Sequence, residues 1–415
     1  MLDRTYRVDF PTRGSKLGAA EIAALTSLVS SGAPLSSGIH RDRFENGFRE
    51  HIGSAHAMSV TSGTVALELA IHLLDLRPGD EVIVTPQTYQ ATIAPLLNLD
   101  VEVTFCDVDP DTLNMDPAVL ETLISERTAA VLLVHYGGCP AEMDRITAAA
   151  HAHGAVVVED CAHALGASYH GRRPGALADI GCFSFHNSKN LTTLGEGGMI
   201  TFDRDDWAYR LECLRSNGVD GVTRPVRGTR PPALLPWMKY ADEIYSSEYT
   251  EVLRAGTNAT LSEAAAAVGS VQLGRLPELS ARRAEIAHRL DEALAHAGAG
   301  ARPHHAPPGT EHAHHLYTFF VDSGAPDRER LVRSLDRHGI EVQLRYFPLH
   351  LTPEWRARGY RAGACPVAEN SWFDRHVNLP CHPGLTDAQV DRLCAVLHEE
   401  LTSPGRAFHS SQPIS

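Results

Sequence analysis

"AVLLVHYGGCPAEMDRITAAAHAHGAVVVEDCAHA" (residues 130–164) decides the fold. Its two ends, "AVLLV" and "AVVVED", are unbroken apolar runs rich in β-branched residues, and the stretch between them reads as an amphipathic helix. A strand without polar alternation is buried on both faces. Two such strands joined by a helix make a unit of a parallel sheet covered on both sides. The same alternation extends upstream through "AHAMSV", "TSGTVALELA", "EVIVTP", "YQATIAPLLNLD", "VEVTFCDVD" and "PAVLETLISERTA", read in turn as strand and helix. Val65, Ala66, Leu69, Ala70 and Leu73 recur at helical spacing behind Ser62, which stands where an N-cap belongs. The expectation is an α/β chain with a large, mostly parallel sheet flanked by helices.

Downstream, the proline- and aromatic-rich residues 219–250 break the pattern and read as an ordered excursion. "NATLSEAAAAVGSVQLGRLPELSARRAEIAHRLDEALAHAG" then reads as a long helix. From about residue 310, "HLYTFFVD", "RERLVRSLDRHGI", "EVQLRYFPL" and "TDAQVDRLCAVLHEEL" read as shorter α+β units. The expected division is a large domain over 1–280, a smaller C-terminal α+β domain over 281–405, and a loose tail at 406–415.

The composition narrows the function classes. A chain of 415 residues with net charge −14 has no excess of basic residues for nucleic acid or an anionic membrane. The longest apolar runs, such as "AAVLLV", fall far short of the roughly 20 residues that span a bilayer. The first residues lack the apolar core of a signal peptide, and the eight cysteines form no C-x-x-C pair. A cytoplasmic protein is expected. The histidine-dense "RPHHAPPGTEHAHHLY" has no zinc spacing and is broken by prolines, so it reads as a solvated loop and no metal is expected.

Candidate chemistry gathers at strand ends, where open parallel sheets collect ligands. Ser62-Gly63-Thr64 opens a helix and reads either as a plain N-cap or as a phosphate seat. Tyr89, just past "EVIVTP", is a packed aromatic or a ring that lies against a flat ligand. Asp160 ends a buried strand and is either an N-cap or a carboxylate that needs a donor partner. Lys189 sits in "FSFHNSKNLTTLGEGGMITF" (residues 183–202), between Ser184, His186 and a glycine-rich turn. Together these are the needs of pyridoxal 5′-phosphate (PLP): a lysine for the aldehyde, a phosphate seat, a stacking ring and a carboxylate for the pyridine nitrogen.

"TSGTVALELA", "RPGDEVIVTPQTYQAT", "VEDCAHALGASYHGRRPGALADIGCFSFHNSKNLTTLGEGGMI", "AGTNATLSEAAAAVGSVQLGRL" and "RYFPLHLTPEW…LPCHPGLT", in this order, resemble the DegT/DnrJ/StrS sugar aminotransferases of PLP fold type I. The resemblance covers nearly the whole chain. It implies that Lys189 forms the Schiff base, with Asp160 at the pyridine nitrogen, His163 near the ring and Tyr89 stacked on it. It also implies that Ser62, Gly63, Thr64 and Ser184 belong to the phosphate seat, and that Asn258 reaches the partner subunit's phosphate in a homodimer with shared active sites.

The implied activity is ping-pong transfer of an amino group from glutamate or glutamine, through the pyridoxamine form, to a keto-sugar or keto-cyclitol. The biosynthetic setting would be secondary metabolites or polysaccharides. The alternatives are a PLP-dependent sugar dehydratase, whose relatives replace the lysine that Lys189 retains, and a regulatory protein on the same fold. Three places depart from the family pattern. Asn258-Ala259-Thr260 lacks the usual aromatic and arginine, Arg345 stands where a histidine is usual, and the 219–250 excursion is long. Arg345 reads either as a clamp on a substrate carboxylate or phosphate, or as a rim ion pair. With His186 it forms the expected substrate side of the site.

Overall fold

The structure, a computed structural model, describes residues 5–217, 219–225, 248–296, 301–321 and 328–402. They fall into two compact units, Met1–Asp203 with Leu261–Ser415, and Arg204–Thr260.

The first unit is built on seven strands: β1 (His56–Val60), β2 (Glu81–Val84), β3 (Glu102–Phe105), β4 (Thr128–Val134), β5 (Val156–Asp160), β7 (Ile180–Ser184) and β8 (Gly198–Phe202). Their order is β1-β8-β7-β5-β4-β2-β3, and β8 alone runs against the rest. The short β6 (Ser168–Tyr169) lies outside this sheet and pairs with Thr310–Glu311. The helices α3 (Gly63–Leu73), α4 (Pro117–Leu123) and α5 (Met143–Ala152) connect strands. Every residue of β2 and β8 is buried, as continuous apolar strands demand. The fold is therefore the mixed α/β arrangement with a mostly parallel sheet.

α2 (Ile39–Ile52) buries Phe44, Phe48 and Ile52, spaced four apart on one stripe. That stripe meets the long helix Glu263–His296, where a Cβ on Gly269 would fall 2.7 Å from the Phe44 ring. Only glycine lets the two helices approach so closely. The far half of the long helix supplies Ile286, Leu290 and Leu294 to a second core with Phe319, Leu335, Leu393 and Leu397. This core belongs to the smaller C-terminal α+β part. There the antiparallel strands Ala301–Pro303, Tyr317–Val321 and His376–Leu379 pack with the helices Arg328–Arg337 and Asp387–Thr402. Arg283, on the same helix, is 1% exposed and donates to the carbonyls of His314 (2.9 Å), Cys381 (2.5 Å) and Gly14 (2.6 Å). Those bonds tie the N-terminal segment to the C-terminal layer and compensate a charge that would otherwise be costly to bury.

The second unit contains the helix Asp205–Arg215, with Trp207, Leu211 and Leu214 buried, and the antiparallel pair Val219–Pro225 and Glu248–Ala255. Most of the proline-rich excursion lies outside the described residues, as does the tail at 406–415. Among the described residues, no helix is long and apolar enough to cross a membrane.

Two stretches differ from their sequence reading. "YQATIAPLLNLD" is two short 3₁₀ turns, Gln90–Thr92 and Ala94–Asn98, rather than one helix. Pro95 has no N–H to return to Ala91, and Ile93 leaves the helical region at φ −122°. "EVQLRYFPL" is extended but forms no continuous strand: its backbone pairs at Gln343, opposite Asn378, and the Arg345 N–H donates to the Asn378 side chain.

Candidate active site

β5, β7, the start of α3 and the Lys189 loop converge on one cavity of about 570 Å³, within the size range of small-molecule sites. Ser62, Gly63, Thr64, Tyr89, Asp160, His163, Ser184, His186, Lys189 and Arg345 all line it. Asn258 lies in the second unit, with its backbone paired to Ser216.

The phosphate end follows from helix geometry. Ser62 Oγ accepts from Val65 N–H at 3.2 Å, so this side chain caps α3. The cap leaves the other N–H groups of the first turn directed at the cavity, with the helix dipole behind them. A Cβ on Gly63 would lie 2.6 Å from Ser184 Cβ. Glycine is thus what lets α3 and the end of β7 close on one another and form a backbone cradle for an anion. The two readings of Ser62-Gly63-Thr64 are compatible, because different atoms of one turn serve each.

Asp160, at the end of β5, lines the same cavity. Its Oδ2 accepts from Thr92 Oγ1 at 2.7 Å and its Oδ1 from Ala162 N–H at 3.0 Å. Thr92 is fixed in turn by Thr88 at 2.7 Å. A carboxylate has about four acceptor sites, so Asp160 retains capacity for a donor inside the cavity. His163 lies between two rings, stacked on His315 at 4.3 Å and on Tyr346 at 5.8 Å. Its Nε2 meets the Tyr346 hydroxyl at 3.1 Å, while its Nδ1 is buried without a protein partner. Burial, together with the charges of Lys189 and Arg345, holds the imidazole well below its usual pKa. His315 is held neutral the same way.

Lys189 is braced from behind. The Gly14 N–H donates to Asn187 O at 2.8 Å, and a Cβ on Gly14 would overlap the Ser188 carbonyl. Burial lowers the Lys189 amine to about 8. Asp160 pulls its pKa back up, and Arg345 pushes it further down. A lysine near 8 presents a useful fraction of free amine close to neutrality, which a solvated lysine does not. Arg345 anchors its N–H on Asn378 Oδ1 at 2.7 Å, and its carbonyl accepts from the Tyr136 hydroxyl. The ring of Tyr89 is 53% exposed on the cavity wall, 6.1 Å from Tyr346. His186 turns toward Ser188 (2.9 Å) and Glu196 (3.7 Å).

Sequence reasoning missed Thr88, Thr92, His315 and Tyr346. Thr88 and Thr92 flank Tyr89 in the motif already singled out, and Tyr346 follows Arg345 directly, so proximity in sequence was the available signal. Nothing local marks His315.

The residues present suit a PLP-sized group. The cradle has no room for a Cβ, the buried His163 Nδ1 lacks a partner, Asp160 has spare acceptor capacity, and a low-pKa amine shares the cavity.

Comparison with known proteins agrees. The sequence pattern of the DegT/DnrJ/EryC1/StrS aminotransferase family matches residues 15–398. A GDP-perosamine synthase of Caulobacter vibrioides is 35% identical over 360 residues, covering 86% of this chain and 89% of the relative. The crystal structure of the aminotransferase TlmJ from Streptoalloteichus hindustanus superposes with a TM-score of 0.81 at 32% identity, covering 95% of this chain and 99% of that one. The PLP form of Spr1654 from Streptococcus pneumoniae superposes with a TM-score of 0.80 at 27% identity, covering 95% and 100%.

Proposed function

This chain belongs to the DegT/DnrJ/EryC1/StrS aminotransferase family and is a PLP-dependent sugar aminotransferase; from that premise we propose that it moves an amino group from glutamate or glutamine to a nucleotide-linked keto-sugar or a keto-cyclitol. The biosynthesis it would serve is that of a secondary metabolite or a polysaccharide. The observation that carries this reading is the meeting, in one cavity, of the Lys189 amine, the Asp160 carboxylate and the Gly63–Ser184 cradle. A relative named GDP-perosamine synthase supports a nucleotide-linked acceptor.

Gly63, Thr64 and Ser184, with the cap of Ser62 behind them, would hold the cofactor phosphate. Tyr89 would lie against its ring, Asp160 would face the ring nitrogen, and His163 would approach from the same loop. When bound, PLP supplies an electron sink for proton removal at the substrate's amine-bearing carbon. Lys189 would hold the group through its amine and, once displaced by substrate, would serve as the general base for the proton at the substrate's amine-bearing carbon. Its depressed pKa suits it to that exchange near neutrality. Arg345 and His186 face the substrate side, where a guanidinium binds a carboxylate or phosphate bidentately. Asn258 would reach the phosphate of the partner subunit in a homodimer with shared sites.

The test is to load the protein with PLP and add glutamate or glutamine, following the cofactor absorbance and the 2-oxo product. Nucleotide-linked 3- and 4-keto-hexoses and keto-cyclitols are then added, and the product is weighed by mass spectrometry. The proposal expects the band to shift with a donor and return with an acceptor that gains an amine. A band that neither donor moves contradicts it. So does a product that loses water without gaining nitrogen, which would indicate a dehydratase.

A further inference from the structure

The histidine-rich segment that the sequence reads as a solvated loop brings His304 and His312 up to Cys139, which follows β4. The ligand atoms of these three residues lie within 4.8 Å of one another. We propose that Cys139, His304 and His312 form a binding site for a divalent zinc ion, separate from the Lys189 cavity, which none of the three lines.

The hydrogen bonds of His304 are those of a ligand. Its Nε2 lies 2.6 Å from the carbonyl of Thr112, and a carbonyl only accepts, so Nε2 carries the ring proton. The neutral ring then has its lone pair on Nδ1, which is buried without a protein partner. Leaving such an atom unpaired carries a desolvation penalty that a ligand would remove. A histidine that donates one ring nitrogen to a backbone carbonyl and offers the other to a metal is the usual arrangement around zinc.

The other two donors are held by backbone already fixed. Cys139 N–H donates to Tyr136 O at 2.9 Å, and Cys139 O accepts from Asn114 Nδ2 at 3.0 Å. Ala313, next to His312, donates to Gly138 O at 2.9 Å. The His304 and His312 rings meet edge to face at 5.4 Å. The His312 Nδ1 accepts from His314 N–H at 2.7 Å, and the Cys139 thiol makes only a long contact, 3.8 Å, to Pro140 O.

Zinc bonds of about 2.0–2.3 Å place tetrahedral donors roughly 3.3–3.8 Å apart, so small rotations of these side chains close the set. Binding replaces the thiol proton of Cys139 with a sulfur–zinc bond and releases that proton to solvent; His304 coordinates as a neutral ligand through its unpartnered Nδ1, and His312 through the Nδ1 lone pair that otherwise accepts from His314 N–H, a hydrogen bond the metal displaces. A water takes the fourth position. His304 and His312 are both half-buried, which leaves a path from solvent. One thiolate and two imidazoles favour zinc over magnesium or calcium, which take oxygen ligands. The ion would pin the loop after β4 to the segment that enters the C-terminal sheet.

The test strips the full chain with a chelator, titrates it with cobalt(II), and then displaces the cobalt with zinc. The expected result is one equivalent per chain with a thiolate-to-cobalt charge-transfer band. That band should vanish in Cys139→Ser, and zinc affinity should fall at least ~10-fold in His304→Gln. The exposed His305→Gln should leave both unchanged. Circular dichroism and PLP uptake report folding independently of the metal, and His312→Gln serves as the second variant should Cys139→Ser not fold. A wild-type titration without the thiolate band overturns the proposal, as does stoichiometric binding that Cys139→Ser and His304→Gln both retain.

Discussion

Glu159 and Asp160 are neighbours at the end of β5, and alternation along the strand sends their side chains to opposite faces of the sheet. Both are buried, at 0% and 5% exposure. Glu159 accepts from the N–H groups of Gly175 (3.0 Å), Leu177 (3.1 Å) and Ala178 (2.8 Å), and meets His135 Nε2 at 2.9 Å. Its acceptor sites are filled by the fold. Asp160 has only Thr92 and Ala162, and the rest of its carboxylate faces the cavity. Burial alone therefore does not mark a functional carboxylate; the unfilled acceptor sites do.

The largest expected effect is on the catalytic face. Lys189→Ala should lower kcat by about 10³-fold or more, with the urea midpoint unchanged, as read by steady-state kinetics and denaturation. Next, the two carboxylates should separate cleanly. Asp160→Asn can keep its oxygen on the Ala162 N–H and donate its NH₂ to Thr92 Oγ1, a hydroxyl that can accept, so it should lower kcat by about 10²-fold at near-normal stability. Glu159→Gln exchanges an acceptor oxygen for an NH₂ group facing N–H donors, so it should lose about 2–4 kcal/mol in urea unfolding. Its kcat per folded molecule should stay within about threefold of wild type. Equal losses of stability in both variants would break the comparison.

Smaller effects sharpen the account of the cavity. Gly63→Ala forces α3 away from Ser184 and should weaken PLP binding about tenfold, as measured by fluorescence titration. The reaction of Lys189 with an aldehyde should be half-maximal near pH 8, because only the free amine attacks. Arg345→Met removes a positive charge that lowers the amine's pKa, so that midpoint should move upward. A midpoint that moves downward or not at all would show that Arg345 does not act on the amine.

The sheet was legible because buried parallel strands are unbroken apolar runs, and the cavity because its ends carry short polar motifs such as Ser62-Gly63-Thr64 and Asp160. What sequence reasoning missed depends on contacts between distant segments. Thr92 matters only because it meets Asp160, 68 positions away. The Gly14 strap supports Lys189 through Asn187, with nothing in "FPTRG" to announce it. "RPHHAPPGTEHAHHLY" lacks zinc spacing because the third proposed ligand, Cys139, lies far away in sequence, just after β4. The 3₁₀ turns around Thr92 read as helix because apolar spacing outweighed Pro95.

The central claim is that Lys189 is the one lysine that holds PLP. Adding PLP to the purified chain, reducing with borohydride and locating the modified residue by peptide mass spectrometry tests it most directly. The account predicts a single modification, on Lys189, that is lost in Lys189→Ala. Modification confined to another lysine, or none at all, would contradict it.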